Sequence, residues 1–475
     1  MNLVFPNMSA YDFITRTLRF EYDDFEIPFV EDIRISPNKS KNYQPSNYIL
    51  PLLMGKGERA RPNTWKQVII SLSQRNFAAA DINEDHDLEY SSQSLFDNVI
   101  TCFRQDRLAE FYEVIEPDFH KINEWLITRD SRKFSNILRS LDANPWQRQL
   151  RNLKLMVKGE MKPKLDTSHF QKYAPASNIV YYQHIINMYF SPIFLEIFGR
   201  ITYCLKDNIV LYGGMNLTEL ESVIRSKLKR PLNSYNFTEI DFSKFDKSQG
   251  NIIKMFEELV YKFFKFSPNL YDNFKISEYF CRASANCGIN VDLFAQRRTG
   301  SPNTWLSNTL CTLGILASVY DFDDFPLILI SGDDSLLISE KSIPNKCGEI
   351  NKRFGMESKF LENPTPYFCS KFILEVNGVI KILPDLIRVF EKWSIPISET
   401  SMNHPTLLRE RFTSYRDLLG NYFSDECFDI LDFYLTLKYF IPRGSSYAAA
   451  CFIHVALSSL KNFSKIFEEG VRVVI

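Results

Sequence analysis

Four aspartates stand out by their setting. Asp241 and Asp246 open and close the stretch DFSKFD, while Asp333 and Asp334 follow a glycine in SGDDSLL, far along the chain. Carboxylates supplied by separate stretches suit phosphoryl transfer to a hydroxyl. A triphosphate repels an incoming oxyanion and pyrophosphate gains charge as it leaves; two divalent cations ~3.5–4 Å apart counter both effects. Hard ions such as Mg²⁺ take carboxylate oxygens, and acids crowded together without a cation repel one another. Each piece also has a plainer reading. Gly-Asp-Asp is an ordinary hairpin turn, because both residue types favour turns, and Asp-x4-Asp ahead of a helix is an ordinary N-cap.

A third piece lies between them, RRTGSPNTWLSNTL, from Arg297 to Leu310. Gly300 lets the backbone bend or approach a ligand closely. Thr304 and Asn308, four apart, share one helix face. Asn308 has both a donor and an acceptor, which suits a ribose hydroxyl; a helix with a polar stripe is the alternative. The elements that must position these groups are legible around them. Phe237, Thr238, Ile240 and Phe242 predict a short strand near Asp241. Beyond Gly250, the spacing of Ile252, Met255, Phe256, Leu259, Val260, Phe263 and Phe264 predicts a helix with one apolar face. Asp246 then falls in the turn before it. The apolar run Phe325–Ile330, resumed at Leu336–Ile338, predicts a buried β-hairpin whose turn thrusts out the paired aspartates. If the strand of Asp241 lies beside that hairpin, Asp241 and Asp333 converge.

The 475 residues are 45% hydrophobic and 14% aromatic, enough for large cores. That length allows roughly two to four domain-sized units or one interlocked enzyme. A formal net charge of −1 excludes a generally basic nucleic-acid binder, so any such contact needs local basic stretches. One is LKLMVKGEMKPKLD, where Lys154, Lys158, Lys162 and Lys164 outnumber Glu160 and Asp166. The nine cysteines form no CxxC pair and read as free thiols of a reducing compartment. The start, MNLVFPNMSAYDF, lacks a signal-peptide pattern. The apolar run Tyr447–Leu457 falls short of the ~20 residues that span a bilayer. Residues 1–60 read as loop-rich, 61–150 as mostly helical and 181–205 as helical and aromatic. Asp321–Asp324 reads as a solvated loop and His184 as a packed histidine. No G-x4-GK-[ST] phosphate loop occurs.

The ordered set D-x4-D, [ST]-G-x3-T-x3-N-T, G-D-D resembles motifs A, B and C of the RNA-dependent RNA polymerases of positive-strand RNA viruses. The phrases LMVKGEMKPKLD, DFSKFDKSQG, TGSPNTWLSNTL and SGDDSLL are most similar to the alphavirus-like group, and within it to plant closterovirus replicases. The resemblance is clear over about residues 150–395. It implies an α+β right-hand fold. Residues 1–145 would form an N-terminal extension and fingers, and 146–232 fingers with the basic nucleotide-steering motif. Residues 233–375 would form a palm carrying motifs A to E, with part of the fingers inserted at about 265–295, and 376–475 a helical thumb.

The same resemblance implies roles. Asp241 and Asp333 would hold two Mg²⁺ or Mn²⁺ ions, assisted by Asp334. Asp246 with Asn308 and Thr304 would select ribose, and Gly300 would open the template-contacting helix at a mobile point. Lys158 and Lys162, with Arg148 and Lys164, would steer triphosphates or contact RNA. FGMESKF resembles motif D, making Lys359 a proton donor to pyrophosphate. PYFCSKFIL resembles motif E, with Ser370 and Lys371 near the primer, and PDLIRVFEKW would open the thumb. Implied partners are RNA template, nascent RNA, ribonucleoside triphosphates and a viral methyltransferase-helicase replicase protein. The implied setting is the host cytoplasm, at membranes reached only indirectly. Two other readings are a reverse transcriptase and a non-catalytic scaffold. The first would normally carry bulky aromatics where this chain has Asp246 and Gly332; the intact carboxylates speak against the second.

Overall fold

Leu327–Ile330 contains no polar side chain, so a strand made of it must be covered on both faces. All four residues are fully buried, in an inner strand of a five-stranded sheet. The computed structural model describes residues 33–35, 47–50, 52, 65–76, 87–129, 134–135, 137, 150–158, 177–393, 397–398, 405–419 and 425–474. Its strands are β1 (Ile33–Ile35), β2 (Asn47–Leu50), β3 (Asn152–Val157), β4 (Asn178–Tyr181), β5 (Ile209–Leu211) and β6 (Asn236–Phe242). They continue with β7 (Phe280–Ala285), β8 (Ile289–Phe294), β9 (Leu327–Ser331), β10 (Asp334–Ser339) and β11 (Ser358–Asn363). The last are β12 (Tyr367–Phe368), β13 (Lys371–Val376), β14 (Val379–Pro384), β15 (Ile397–Ser398) and β16 (Val471–Val474).

The central sheet runs β11-β6-β10-β9-β5. Only β5 is parallel to its neighbour; the other pairs are antiparallel. Alternation divides its side chains between two cores. Ile240, Phe242, Ile328, Ile330 and Leu337 face helices Leu88–Thr101, Asn251–Phe263 and Thr304–Ala317. Gly314 lets these helices close, since a Cβ there would lie 3.2 Å from Val99 and 3.4 Å from Phe256. Phe237, Leu327, Leu329, Leu336 and Ile338 face the other way, onto helix Leu217–Lys227 and the small sheet β12-β13-β14.

A second five-stranded sheet, β1-β8-β7-β3-β4, shares the first core through Leu153, Leu155, Val180 and Val291. A separate core gathers helices Leu386–Trp393, Asp425–Tyr439, Tyr447–Leu457 and Leu460–Glu468 around the buried Trp393. The molecule is a mixed α+β structure with predominantly antiparallel strand pairing.

The strand at Asp241 and the hairpin around Asp333 form as their sequences predict. Helix Asn251–Phe263 also forms, but its buried surface is wider than an apolar face. Phe263 is 36% exposed, whereas Lys254, Glu257 and Tyr261 are buried, because a second charged layer packs against that flank. Gly250 precedes the helix without a side-chain cap, so Asp246 is not its N-cap; it lies in the short helix Phe245–Ser248. Asp321 accepts from the Asp323 amide at 3.0 Å and Asp323 pairs with Lys206 at 2.7 Å in an exposed turn. His184 is half-buried at the start of helix His184–Cys204. All nine cysteines are free. Among the described residues, no helix is long and apolar enough to cross a membrane.

Candidate active site

Asp241 is the penultimate residue of β6, on the strand face opposite Ile240 and Phe242, and is exposed. In the β6–β10 ladder Leu337 pairs with Thr238. Continuing that register three residues brings Asp334 opposite Asp241. Ser335, one step short, confirms the alignment: its Oγ donates to Ile240 O at 3.2 Å and accepts from Ile240 N–H at 3.3 Å. On the other side of β6, Lys359 of β11 pairs directly with Asp241. Opposed residues share a face, so Lys359, Asp241 and Asp334 form one row across three strands. Asp333 sits at the turn beyond it. The two-residue turn Gly332-Asp333 joins Ser331 to Asp334. Gly332 has φ +64° and Asp333 is not left-handed, the pattern of a type II′ turn, which wants glycine first.

The electrostatics report the crowding. Solvent reaches Asp333, yet desolvation by the surrounding protein, then the Asp334 charge, with Asp246 and Asp241 adding, pushes its carboxyl up to about 6. Glu239, two residues before Asp241 on the same face, is also pushed up to about 6, by burial first and by Asp334 and Asp241 in addition. Among the described residues no three acidic, His or Cys side chains converge as a ready-made metal cage.

The turn is held from above by helix Thr304–Ala317. Thr309 Oγ1 accepts from Gly332 N–H at 2.9 Å and Thr312 Oγ1 donates to Gly332 O at 2.8 Å. Both threonines and the glycine are buried, so the helix satisfies both polar groups of that glycine. Trp305 Nε1 donates to Ser331 Oγ at 3.1 Å, and Ser331 Oγ donates to Tyr212 O at 2.9 Å. A Cβ on Gly213 would strike the Trp305 ring at 2.2 Å; glycine there makes room for the indole.

The same helix carries Asn308, whose Nδ2 donates to Asp246 Oδ1 at 2.9 Å. Its Oδ1 accepts from Gln249 Nε2 and from Arg297 Nε, each at 2.9 Å. Asp246 lines a small surface recess with Lys244, Lys247, Asn178 and Thr299. β3 ends at Val157, paired with Asn178, and so delivers Lys158 to the sheet end beside that recess; Lys158 N–H donates to Ser177 O at 2.7 Å. Lys162, Lys164 and Arg148 lie outside the described residues.

Gly300 does need close approach, but to β4. Its N–H donates to Val180 O at 2.8 Å, and a Cβ would lie 2.5 Å from Tyr181 Cβ. These contacts set Gly300 against β4, four residues before helix Thr304–Ala317 begins. The Thr304 hydroxyl is directed at Arg298 O (2.6 Å) and Ser301 O (2.9 Å), within its own loop. Ser370 lies in the β12–β13 turn, where Cys369 and Ser370 have φ +49° and +59°. Lys371 Nζ donates to Cys369 O at 3.0 Å and lies 5.0 Å from the Tyr212 ring. Burial pulls Lys371 below the usual lysine range, although Cys369 and then Asp334 oppose that; it therefore borders the carboxylate row.

The family model described as RNA dependent RNA polymerase matches residues 22–466. The chain belongs to the RNA-dependent RNA polymerases. Replicase polyprotein 1ab of Beet yellows virus (isolate Ukraine) is 36% identical to this polymerase over 322 residues, covering 68% of this chain and 10% of that protein. Replicase polyprotein 1ab of Grapevine leafroll-associated virus 3 (isolate United States/NY1) is 29% identical over 463 residues, 94% of this chain and 16% of that protein. RNA-directed RNA polymerase 2a of Brome mosaic virus is 26% identical over 451 residues, 92% and 52% respectively. The chain thus spans from a tenth to about half of the length of these relatives. They include closterovirus replicases of the alphavirus-like group, the group that the motif phrases resemble.

Several residues around the site of this polymerase carried no functional signal in sequence. Gln249 closes the phrase DFSKFDKSQ before Gly250, and Arg297 is one of two adjacent arginines; neither setting singles the residue out. Thr312 lies beyond the motif stretch, although its place three residues after Thr309 puts both hydroxyls on one face. Glu239 alternates with Asp241 along the strand, and that period of two was the available clue.

Proposed function

We propose that this chain joins ribonucleoside triphosphates on an RNA template by two-metal-ion nucleotidyl transfer, and so replicates and transcribes a positive-strand viral RNA genome. The observation that carries this reading is the strand register that sets Asp334 opposite Asp241, with Asp333 in the adjoining β9–β10 turn and Lys359 paired with Asp241 on the other side. Mg²⁺ or Mn²⁺ ions held there by Asp241 and Asp333, with Asp334 assisting, would supply positive charge at the attacking and leaving oxygens. Asp246, held by Asn308, accepts a hydrogen bond from a ribose 2′-hydroxyl. Thr304 and Gly300 shape the loop that leads to Asn308. Lys158, with Lys162 and Lys164, steers triphosphate or RNA phosphates towards the recess. Lys359 gives a proton to the departing pyrophosphate, and Ser370 and Lys371 lie along the primer strand.

In this reading the central sheet with 233–375 is the palm, and β5 is its edge strand. The sheet β1-β8-β7-β3-β4, joined by the 265–295 insertion, belongs with the fingers of 1–145 and of 146–232 apart from β5. The helical cluster of 376–475 is the thumb. Partners are template and nascent RNA, the four ribonucleotides and a viral methyltransferase-helicase replicase protein, in cytoplasmic replication complexes whose membranes are reached through other proteins.

The test is primer extension on an RNA template with Mg²⁺. Wild-type protein incorporates ribonucleotides, and Asp241→Ala and Asp333→Ala fall to background while unfolding at wild-type temperature or above. Synthesis retained by either folded variant would overturn the mechanism. Equal use of deoxyribonucleotides would favour a reverse transcriptase, and an inert wild-type protein a scaffold.

A further inference from the structure

We infer that Gln249 and Arg297 are positioning residues for sugar selection, acting through the orientation of the Asn308 amide. This rests on the proposal that Asp246 and Asn308 recognise ribose. An asparagine side chain has two ends of nearly equal shape, and only its hydrogen-bond partners decide which way each points. Here Oδ1 meets two donors, Gln249 Nε2 and Arg297 Nε. Turned over, the amide would set its own N–H groups against both. The Nδ2 end is therefore held on Asp246, at 2.9 Å.

The two donors are themselves fixed. Gln249 Oε1 accepts from Arg297 Nη2 at 2.6 Å, which leaves the Gln249 amide nitrogen facing Asn308. The Arg297 guanidinium is bound by Glu257, through Nη2 and through Nη1 at 3.3 Å, and lies 3.7 Å from Glu278. Lys254 binds Glu257 at 3.4 Å and Glu278 more closely. Gln249 and Arg297 are no more than 3% exposed, and Lys254, Glu257 and Glu278 lie within the same limit as whole residues. Arg297 and Lys254 thus face Glu257 and Glu278 out of water, with the buried Arg298 also acting on Glu278. Such a set contributes little net stability, since desolvation offsets attraction, but its fork geometry leaves few alternatives. Arg297 also donates from its backbone N–H to Asp246 O at 3.2 Å, so both members of the Asp246–Asn308 pair are tied to one guanidinium-bearing residue.

The experiment measures kcat/KM for a ribonucleotide and for the matching 2′-deoxynucleotide with full-length protein, in Gln249→Met, Arg297→Lys, Asn308→Ala and the double variant Gln249→Met/Asn308→Ala. Methionine keeps the length of glutamine without its donor. Lysine keeps the charge opposite Glu257 but offers nothing at the Nε position. In each of the first two, loss of one hydrogen bond lowers the ribo-to-deoxy ratio by about five- to tenfold, through the ribonucleotide alone. Asn308→Ala lowers the ratio at least as far, and the double variant falls no further, because the residues act through one group. If Asn308→Ala loses selectivity while both donor variants keep it, the positioning role is overturned and the ribose reading stands. If Asn308→Ala also keeps selectivity, the ribose reading itself fails. Parallel losses for both sugars would mark a purely structural role and equally overturn the inference. Should Gln249→Met not fold, Arg297→Lys carries the same test.

Discussion

At Asp333 the protein holds a charge that burial and its neighbours disfavour more than its backbone hydrogen bond supports. Desolvation and three neighbouring carboxylates push this carboxyl up to about 6, from an ordinary value of 3.8. Between those pH values the folded chain binds more protons than the unfolded one, so stability falls as pH rises through that window and stays lowered above it. Glu239 is raised in the same direction and adds to the effect. Asp333→Asn removes one of the charges. In cation-free buffer at neutral pH it should raise the thermal midpoint by about 1–3 °C, allowing for solvent screening of an accessible group. The gain should vanish below about pH 4, where the wild-type acid is protonated. Added Mg²⁺ should raise the wild-type midpoint more than that of the variant. A variant less stable than wild type under those conditions would refute the account. Such mutual repulsion is what the proposed two-metal mechanism asks of its carboxylates before a cation binds.

Helix Thr304–Ala317 does two tasks at once. Asn308 reaches Asp246, and Thr309 and Thr312 grip the peptide groups of Gly332. Any shift of the helix therefore moves the acid-bearing turn. Thr312→Val keeps the shape but leaves the buried Gly332 carbonyl unpaired, at a cost of about 1–3 kcal/mol. Displacement of the turn should also lower kcat by about 10- to 100-fold. Thr312→Ser restores the hydroxyl and should recover both. Urea unfolding and single-nucleotide incorporation read the two effects separately. Loss of stability with an unchanged kcat would show that the grip does not set the position of the acids. This pairing was hidden in sequence because a threonine in an apolar helix bonds its own backbone as readily as a distant turn.

Across the molecule, Asp385 joins the β12–β13 turn to the C-terminal helices. Its N–H donates to Ser370 O at 3.0 Å. Its carboxylate accepts from Ile387 N–H at 3.0 Å, from Tyr367 Oη at 2.9 Å and from Tyr439 Oη. Lys438 lies 3.5 Å from the Tyr367 ring centre, and its charge also reaches Glu239 beside the carboxylate row. The C-terminal cluster is thus linked to the site through polar groups, in addition to apolar packing. Asp385→Ala caps nothing and strands two tyrosine hydroxyls, which should cost about 2–4 kcal/mol. Hydrogen exchange should show lost protection in helices Leu386–Trp393 and Asp425–Tyr439 before the central sheet. Uniform loss over the whole chain would contradict a junction of this kind.

The sequence by itself determined the local pieces: the strand at Asp241, the apolar hairpin around Gly332, and the helix presenting Asn308. Side-chain periodicity and turn chemistry act within a few residues, so those signals survive without the rest of the fold. Only the tertiary structure decided that Asp334, with Asp333 at the tip, stands opposite Asp241, and that Lys359 flanks it from the other edge. Strand register between distant segments is set by how two cores close on both faces of the sheet. It likewise decided that Lys254, Glu257 and Arg297, each ordinary as a surface charge, lie together out of water. A buried charge is tolerable only beside its counterions, and those arrive from helices and loops that the neighbouring residues cannot announce.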